Sequence, residues 1–346
     1  MALRLGLIGG GNISDTHARA ALTIPDVELA AVCSRGVERA RALTSRYGGT
    51  PYADFDAFLA HRMDAVVIGS PSGLHAAHGA AAAERGLHVL VEKPIDVTIE
   101  AADSLIARCE TAGVRLGVIF QDRTAPDLLW LRTLIGSGAL GRVTMASAQV
   151  RWYRTPEYYA ASSWRGTRDL DGGGAVINQG IHTLDLLLWL VGDVARVHAA
   201  SRTAVHDIET EDTATACLEF ASGAIGTYEA ATSAYPGMPR RLEISGTDGT
   251  VIVENDRVVS ARLRQPREDI PAARPDSESQ RAASAVVSDV TGHRRVLENF
   301  VAAIRTGAPL VCDGRDGRRS LALVEAMYQS ARSGAATQPA TSSPRA

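Results

Sequence analysis

Short apolar runs alternate with longer helical patterns in the first third of the chain. Buried strands are predicted at residues 4–8, 27–33, 65–68, 88–91 and 114–120. Alanine-rich segments of helical length lie between them, among them 74–85 and 97–112. Because strands separated by helices of about 10–15 residues form βαβ units, the pattern predicts an α/β fold with a parallel sheet covered on both faces.

Beyond about residue 123 the pattern changes. A helix is predicted at 127–135 and a long strand at 142–154, followed by an aromatic, charged loop that ends in the glycine triplet 172–174. Residues 175–191 then place apolar side chains at helical spacing, so we expect one amphipathic helix there.

The next segments alternate between apolar and polar residues and are separated by Gly and Asp turns. Strands are predicted at 213–220, 224–231 and 241–245. Consecutive strands joined by short turns indicate an antiparallel sheet. The end of the chain predicts a long exposed loop at 265–288, helices near 293–305 and 317–332, and a Pro/Ser/Thr-rich disordered tail from about 334.

The charges are nearly balanced, with 36 basic and 39 acidic side chains and a net charge of -3. Without a basic run, a nucleic-acid partner is not expected. No apolar stretch is long enough for a membrane span, and the N-terminus lacks the apolar core of a signal peptide. Cys33, Cys109, Cys217 and Cys312 are far apart, so neither a metal site nor a disulfide framework is predicted. We expect a cytoplasmic protein.

The sequence GGGNIS at residues 9–14 directly follows the first predicted strand and opens the first helix. It matches the dinucleotide-binding fingerprint with Ser14 in place of the third glycine. Gly9 permits the tight turn, Gly11 lets the backbone approach a pyrophosphate, and the helix start at Asn12 and Ile13 supplies amide donors. The alternative is a glycine-rich turn in another kind of α/β protein.

The end of the second strand should carry the residue that selects the cofactor ribose. An acidic residue there would hold the 2′-hydroxyl of NAD, but this strand is followed by Ser34 and Arg35. A hydroxyl and a guanidinium suit a 2′-phosphate, so we expect an NAD(P) cofactor with a preference for NADP. The alternative is that Arg35 only caps the next helix and the protein uses NAD.

Lys93 is the only lysine in the chain, and the other 35 basic residues are arginine. It follows the strand at 88–91, at the edge of the sheet where open α/β folds bind ligands. Lysine differs from arginine because burial and nearby charge can make its ammonium give up a proton. We therefore expect Lys93 to lie in a site of proton transfer.

A polar row interrupts the apolar helix at 175–191. Asn178, His182 and Asp185 are spaced i, i+4 and i+7, so they are expected to share one face. One interpretation is a buried network that holds two layers together. The other is a histidine directed at a substrate hydroxyl and positioned by Asn178, since the charge of histidine changes near neutral pH.

Four motifs together resemble the glucose-fructose oxidoreductase / inositol dehydrogenase / rhizopine catabolism (Gfo/Idh/MocA) family over residues 1–332. They are the Gly9/Gly11 fingerprint, PSGLH at 71–75, EKP at 92–94, and GGG…NxGxH…D at 172–185. The resemblance implies an NAD(P)-binding Rossmann domain at 1–122 and a substrate-binding and oligomerisation domain at 123–333, before a tail at 334–346. The second domain would be α+β, with a large open, mainly antiparallel sheet that forms the interface of a homodimer or homotetramer.

The resemblance also implies an activity. Family enzymes oxidise a secondary hydroxyl of a sugar, sugar nucleotide or cyclitol, or reduce the corresponding ketone. By resemblance, Lys93 binds the reacting oxygen and His182 is the catalytic acid/base. Relatives commonly carry Asp where this chain has Asn178, and an amide cannot carry a proton. We therefore expect a mechanism led by His182, with Lys93 as its electrostatic partner.

Further contacts follow from the same matching and from side-chain chemistry. The matching implies cofactor contacts at Ser70, Pro71, His75, Glu92, Gln121, Trp164 and Arg165, and a substrate contact at Arg123. A loop with Tyr153, Arg154, Tyr158 and Tyr159 combines aromatic faces with hydrogen-bonding tips, as carbohydrate recognition requires. Packing of the loop itself is the alternative.

Three other functions stay open from the sequence. The protein could reduce a ketosugar in nucleotide-sugar biosynthesis, where NADP would suit the reaction. It could cleave a glycoside by transient oxidation without net cofactor reduction. It could also be a non-catalytic, cofactor-binding sensor, although Lys93 and His182 argue against that.

Overall fold

The computed structural model describes residues 2–272 and 289–341. These residues form two compact units, which lie within 1–121 with 286–318, and within 122–285 with 319–346. From residue 273 onward, the loop predicted at 265–288 lies outside the described residues. The last part of the predicted tail, 342–346, lies outside them as well.

Six parallel strands form the sheet of the first unit. They are β1 (Leu3–Ile8), β2 (Val27–Cys33), β3 (Thr50–Tyr52), β4 (Ala65–Ile68), β5 (His88–Glu92) and β6 (Leu116–Ile119), in the order β3-β2-β1-β4-β5-β6. The order reverses between β1 and β4, and ligands bind at the carboxyl ends of strands at such a switch point. The predicted parallel sheet is confirmed, whereas the short strand β3 was not predicted.

Five helices connect these strands. They are α1 (Asn12–Ala21), α2 (Val37–Tyr47), α3 (Phe55–Leu59), α4 (His75–Glu84) and α5 (Ile99–Thr111). The strands β4 and β6 are buried at every position, as expected for a sheet covered on both faces.

A helix from the end of the chain completes the first unit. The sequence analysis placed α9 (Thr291–Thr306) in the second domain, but its apolar face joins the core of the first sheet. Val296, Leu297 and Phe300 pack there with Leu5 and other strand residues. An amphipathic helix must bury its apolar face, but its sequence does not say against which sheet. The first five residues of α10 (Gly314–Ser333) belong to this unit too.

Seven strands form the sheet of the second unit. They are β7 (Val143–Arg151), β8 (Val194–Arg202), β9 (Thr213–Phe220), β10 (Ile225–Ala231), β11 (Arg241–Gly246), β12 (Gly249–Glu254) and β13 (Arg257–Leu263), in the order β13-β12-β11-β7-β10-β9-β8. All pairs are antiparallel except β7 with β10, which is parallel. The predicted mainly antiparallel sheet is confirmed.

Three further helices belong to the second unit: α6 (Pro126–Gly136), α7 (Pro156–Ala160) and α8 (Ile181–Val191). The single amphipathic helix predicted at 175–191 is wrong in two respects. A π-helical turn, Ala175–Gly180, precedes α8, and eight of the eleven residues of α8 are buried. Although α8 is apolar, no helix in the part of the chain that the structure describes is long and apolar enough to cross a membrane.

Part of the predicted tail is ordered. Thr337 exchanges two backbone hydrogen bonds of 2.8 Å with Val197 on the edge strand β8. The expectation of disorder from residue 334 is therefore wrong for this segment, because an open strand edge offers backbone partners to any extended chain.

Candidate active site

The loop between β1 and α1 leaves space beside its backbone for a ligand. Gly9 has a φ of 125°, and a Cβ atom there would lie 2.5 Å from the carbonyl oxygen of Gly69. A Cβ at Gly11 would meet no atom within 4 Å, and no side chain caps the start of α1 at Asn12. Exposed amides at a helix start fit a phosphate group, so these residues fit the dinucleotide cofactor that the sequence implies.

The two predicted ribose contacts differ in their exposure. Ser34 is buried, and its hydroxyl oxygen lies 2.6 Å from where a Cβ of Gly10 would be. Arg35 is exposed at the tip of β2. Ser34 thus packs beneath the phosphate loop, while Arg35 keeps its guanidinium in solvent, where a ligand could reach it.

Lys93 is half-buried directly after β5, and its backbone is held from both sides. Its amide donates to Oε2 of Glu92 over 3.1 Å. Pro94 offers its carbonyl oxygen to Nδ1 of His75 at 2.8 Å, and Asp96 accepts from the amide of Ala76 at 2.8 Å. The first turn of α4 therefore fixes the segment that carries the lysine.

His75, which was expected to border the nicotinamide, lies between two backbone carbonyl groups. The ring is buried, with Nδ1 at 2.8 Å from the carbonyl oxygen of Pro94 and Nε2 at 2.9 Å from that of Ser70. Burial lowers the pKa of His75. Both ring nitrogens face backbone, so the side chain braces two loops, whereas Ser70 and Pro71 themselves are half-buried.

Glu92 was also predicted as a cofactor contact, but its carboxylate is turned into the first unit. Its Oε1 lies 2.9 Å from Nε2 of His17 on α1 and 3.9 Å from Nε2 of His293 on α9. Burial alone would raise the pKa of Glu92, but the hydrogen bond and charge of His17, with His293 and Lys93, lower it to about 2. The sequence analysis missed both histidines.

His182 lies near the start of α8, next to an acid that the sequence analysis did not single out. Its Nδ1 is 3.6 Å from Oδ2 of Asp122, and the two side chains are 13% and 6% exposed. The same oxygen of Asp122 accepts from Nη1 of Arg240 at 2.5 Å. Arg240 also pairs with Asp256. The signal for Asp122 was its place two residues after the last predicted strand of the first sheet, 114–120.

Asn178 lies in the π-helical turn rather than on α8. Its Nδ2 donates to Oδ1 of Asp171 over 2.6 Å, and Oδ2 of Asp171 accepts from the amide of Gly166 at 2.8 Å. Asp171 is 3% exposed. Asn178 thus has a partner of its own in Asp171, and the π-turn changes the helical register between Asn178 and His182.

Arg123, which was predicted to contact substrate, is paired with an acid on α8. It is 2% exposed and forms two hydrogen bonds of 2.7 Å with the carboxylate of Asp185 on α8. Ser320 donates to the same carboxylate over 2.9 Å. The guanidinium is thus engaged within the second unit.

In the first unit, the predicted cofactor contact Gln121 is half-buried. It packs close to Gly292, where an added Cβ atom would lie 3.2 Å from its side chain.

The start of the π-turn is capped by a buried carboxylate. Glu211 accepts from the amides of Gly174 at 3.1 Å and Val176 at 2.8 Å, and from the hydroxyl of Tyr328 at 2.9 Å. Burial raises the pKa of Glu211. A negative charge at this position compensates the free amides of a helix start.

Many polar side-chain groups of the aromatic loop form hydrogen bonds with other groups of the protein. The hydroxyl of Tyr158 accepts from Gln179 at 3.1 Å, and that of Tyr159 lies 2.7 Å from the hydroxyl of Thr232. Arg154 is buried and donates to Gln179 over 3.1 Å. This supports loop packing as the main role of Arg154, Tyr158 and Tyr159.

The rest of the loop is more open. The half-buried Tyr153 packs edge-on against Tyr235, which is 81% exposed, with ring centres 5.3 Å apart. Trp164 and Arg165 are half-buried, and the guanidinium of Arg165 lies 4.3 Å from the ring centre of Tyr158. These side chains keep surface available to a ligand.

Comparison with known proteins assigns the chain to a family. A family described as "Oxidoreductase family, NAD-binding Rossmann fold" matches residues 3–120, and the GFO/IDH/MocA C-terminal domain matches residues 128–252. The chain belongs to the GFO/IDH/MocA family. The predicted resemblance is confirmed, and so is the prediction of an oxidoreductase with a nicotinamide cofactor.

Relatives of this GFO/IDH/MocA protein cover nearly its whole length. D-apiose dehydrogenase from Paraburkholderia graminis is 32% identical, over 95% of this chain and 87% of that protein. Inositol 2-dehydrogenase from Rhizobium meliloti is 29% identical, over 95% and 97%. The structure of the WlbA dehydrogenase from Bordetella pertussis, in complex with NADH and UDP-GlcNAcA, has a TM-score of 0.89 and 33% identity, covering 99% of this chain and 100% of that one.

Proposed function

We propose that this protein oxidises a secondary hydroxyl of a sugar, sugar nucleotide or cyclitol, or reduces the corresponding ketone. The observation that carries the proposal is the placement of the only lysine. Lys93 follows β5 at the carboxyl edge of the parallel sheet, and hydrogen bonds to its own amide and to the carbonyl of Pro94 fix its backbone. The named activities of the relatives support the substrate class.

The proposed mechanism divides the work between two side chains. A nicotinamide cofactor bound at the phosphate loop would supply hydride transfer to or from the substrate carbon. Lys93 binds the reacting oxygen through its ammonium, which stabilises negative charge as the proton leaves. His182 takes that proton at Nε2, since Nδ1 is the nitrogen that faces Asp122. In the reductive direction the same nitrogen returns the proton.

The remaining site residues orient these groups. We propose that the loop from Gly9 to Ile13 binds the cofactor phosphates and that Ser70 and Pro71 border the nicotinamide. Exposed Arg35 favours NADP over NAD, because a guanidinium pairs with a 2′-phosphate. Asn178 holds a substrate hydroxyl while Asp171 fixes its amide. Tyr153, Trp164 and Arg165 supply further ligand surface.

We also propose that the two parts of the chain have separate roles, with a division near residue 122. The first binds the cofactor, and the second binds substrate and forms a homo-oligomer. Within the described residues, one face of the second sheet carries exposed apolar side chains: Met145 and Ile225 are neighbours in register and are 53% and 54% exposed. A depression of about 380 Å³ on the sheet is lined in part by Arg151 and Glu229. We propose a cytoplasmic location, since the four cysteines are free and thiols stay reduced in that compartment.

The test is an absorbance assay for reduced nicotinamide with NAD and NADP against inositols, aldoses and nucleotide sugars. In Lys93→Met, turnover should fall by about 10²–10⁴-fold while NADPH binding, followed by tryptophan fluorescence, is retained. Lys93→Arg keeps the charge but cannot release a proton, so it separates the two roles of the ammonium.

The matched control is Arg85→Met, which removes an exposed cation from the same unit and should leave turnover unchanged. Unchanged turnover in Lys93→Met would contradict the assignment. Cofactor binding without turnover on the whole panel would favour a sensor instead.

A further inference from the structure

We propose that Asp122 is the carboxylate that positions His182 for proton transfer. It takes the role of the acid that this chain lacks at position 178, where it has Asn178. The inference rests on the proposed function, because it assumes that His182 moves the proton. Asp122 acts through His182 and is therefore a positioning residue.

The geometry of the two side chains connects Asp122 with His182. Oδ2 of Asp122 lies 3.6 Å from Nδ1 of His182, and both side chains are largely removed from water. A carboxylate opposite one ring nitrogen favours the tautomer with the proton on that nitrogen. The other nitrogen, Nε2, then carries the lone pair that accepts a substrate proton. The distance exceeds a hydrogen bond, and such contacts tighten when substrate binds.

A neighbouring ion pair holds Asp122 in place. The next residue, Arg123, forms the bidentate pair with Asp185, which Ser320 supports. His182 and Asp185 are three residues apart on α8, so they lie on one face of the helix. Asp122 and Arg123 therefore run along that face, one opposite each side chain, and the ion pair keeps the carboxylate at the histidine.

The charged groups around Asp122 favour the same role. Arg240 is shared between Asp122 and Asp256, so these three groups together carry one net negative charge. The turn between β12 and β13 anchors Arg240, because Oδ1 of Asn255 accepts from its amide at 3.1 Å. The positive charge of Arg240 faces the carboxylate of Asp122, and the remaining negative charge offsets the positive charge that His182 gains when it takes a proton.

The other nearby acid has a different task. Asp171 is hydrogen-bonded to Nδ2 of Asn178 and to the amide of Gly166. It fixes the orientation of an amide that cannot itself balance a cationic histidine. The chain thus supplies the carboxylate for His182 from the segment that follows β6, while Asn178 orients substrate.

The test compares Asp122→Asn with Asp256→Asn in the full-length protein. Nitrogen-15 spectra of histidine-labelled protein, with His182 assigned by His182→Gln, report the ring tautomer without substrate or activity. In the wild type we expect the neutral ring to carry its proton on Nδ1, and in Asp122→Asn a mixture of both tautomers. The kcat should fall about 10²-fold with little change in KM.

Asp256→Asn removes the second carboxylate from Arg240 without touching His182, so it should keep the wild-type tautomer. An Nε2–H tautomer in the wild type would overturn the proposal, even if Asp122→Asn does not fold. Equal effects of the two variants would overturn it as well, since the cluster as a whole would then be responsible. Because the spectra need no turnover, failure of the proposed enzymatic function is a separate result.

Discussion

Glu92 is a buried carboxylate that keeps its charge because two histidines and a lysine surround it. His17 comes from α1, which the phosphate loop opens, and His293 comes from α9. Glu92 also accepts from the amide of Lys93. One side chain thus ties together the cofactor loop, the lysine segment and the C-terminal helix of the first unit.

Replacing Glu92 should change how stability depends on pH. The folded-state pKa of about 2 lies below the ordinary value of 4.5, so ionised Glu92 stabilises the fold above pH 4.5. This contribution, on the order of 3 kcal/mol, is lost as the pH falls towards 2. In Glu92→Gln, the free energy of unfolding should therefore be lower at pH 6 and should decline less between pH 4.5 and 2. Chemical denaturation at several pH values measures both.

The control is Glu38→Gln, whose side chain is 79% exposed in a pair with Arg41. Exposed pairs contribute about 0–1 kcal/mol, so this variant should follow the wild type at every pH. Parallel curves for Glu92→Gln and the wild type would show that the buried charge does not stabilise the fold.

At single positions, the sequence identified residue types better than residue partners. Lys93 stood out because it is the only lysine. His17 could not be found in the same way, since its partner Glu92 is 75 residues away in sequence. Arg123 matched a substrate contact by motif, but its pair with Asp185 depends on a separation of 62 residues that no local pattern encodes.

Among the elements, the π-helical turn before α8 depends on close approach to β10. Gly180 ends the turn with φ -82°, which any residue can adopt. A Cβ there would overlap the hydroxyl of Tyr228, which is fully buried. Glycine is therefore required two residues before His182 because a side chain would not fit there, and not because of the backbone conformation.

Gly180→Ala should lower the free energy of unfolding by about 1–3 kcal/mol, because either Tyr228 or the turn must move. Gly136→Ala on α6 is the matched control. A Cβ at Gly136 would meet no atom within 4 Å, so this variant should be as stable as the wild type or slightly more stable. Thermal and chemical denaturation measure the difference. Equal stability of the two variants would mean that the turn adapts without cost.

The strands were predictable where the alternation of apolar and polar residues extended over many positions. In β9, buried residues alternate with less buried ones along the whole strand, and β10 alternates until its last two residues, which are both buried; the predicted bounds of both strands agree closely. Strand β3 has only three residues, one of them Pro51, so it carried too little pattern. The π-turn was missed because helical spacing alone does not reveal one extra residue in a turn.

At the scale of the whole molecule, the chain builds its first unit from two separate stretches. Residues 2–121 supply the sheet, and α9 adds Phe300 and its neighbours to the same core. The sequence predicted both parts as elements but divided the chain at residue 122. Contacts between distant stretches make folding depend on late parts of the chain.

The open face of the second sheet should determine the assembly state. Met145→Glu combined with Ile225→Glu places two charges on neighbouring strands, and burying unpaired charge in an interface is costly. We expect the wild type to be a dimer or tetramer by light scattering and the double variant to be smaller. Leu129→Glu, at an apolar residue 47% exposed on α6, should keep the wild-type mass. An unchanged mass in the double variant would place the interface elsewhere.

Lys93 gives this protein one side-chain amine, half-buried at the end of β5. Lysine labelled with nitrogen-15 would therefore produce a single side-chain resonance, with no assignment needed. Its chemical shift would follow the protonation of the amine directly as cofactor and substrate are added. An amine-selective reagent would likewise find one side-chain target, so the fraction of protein modified would count how many sites a bound ligand protects.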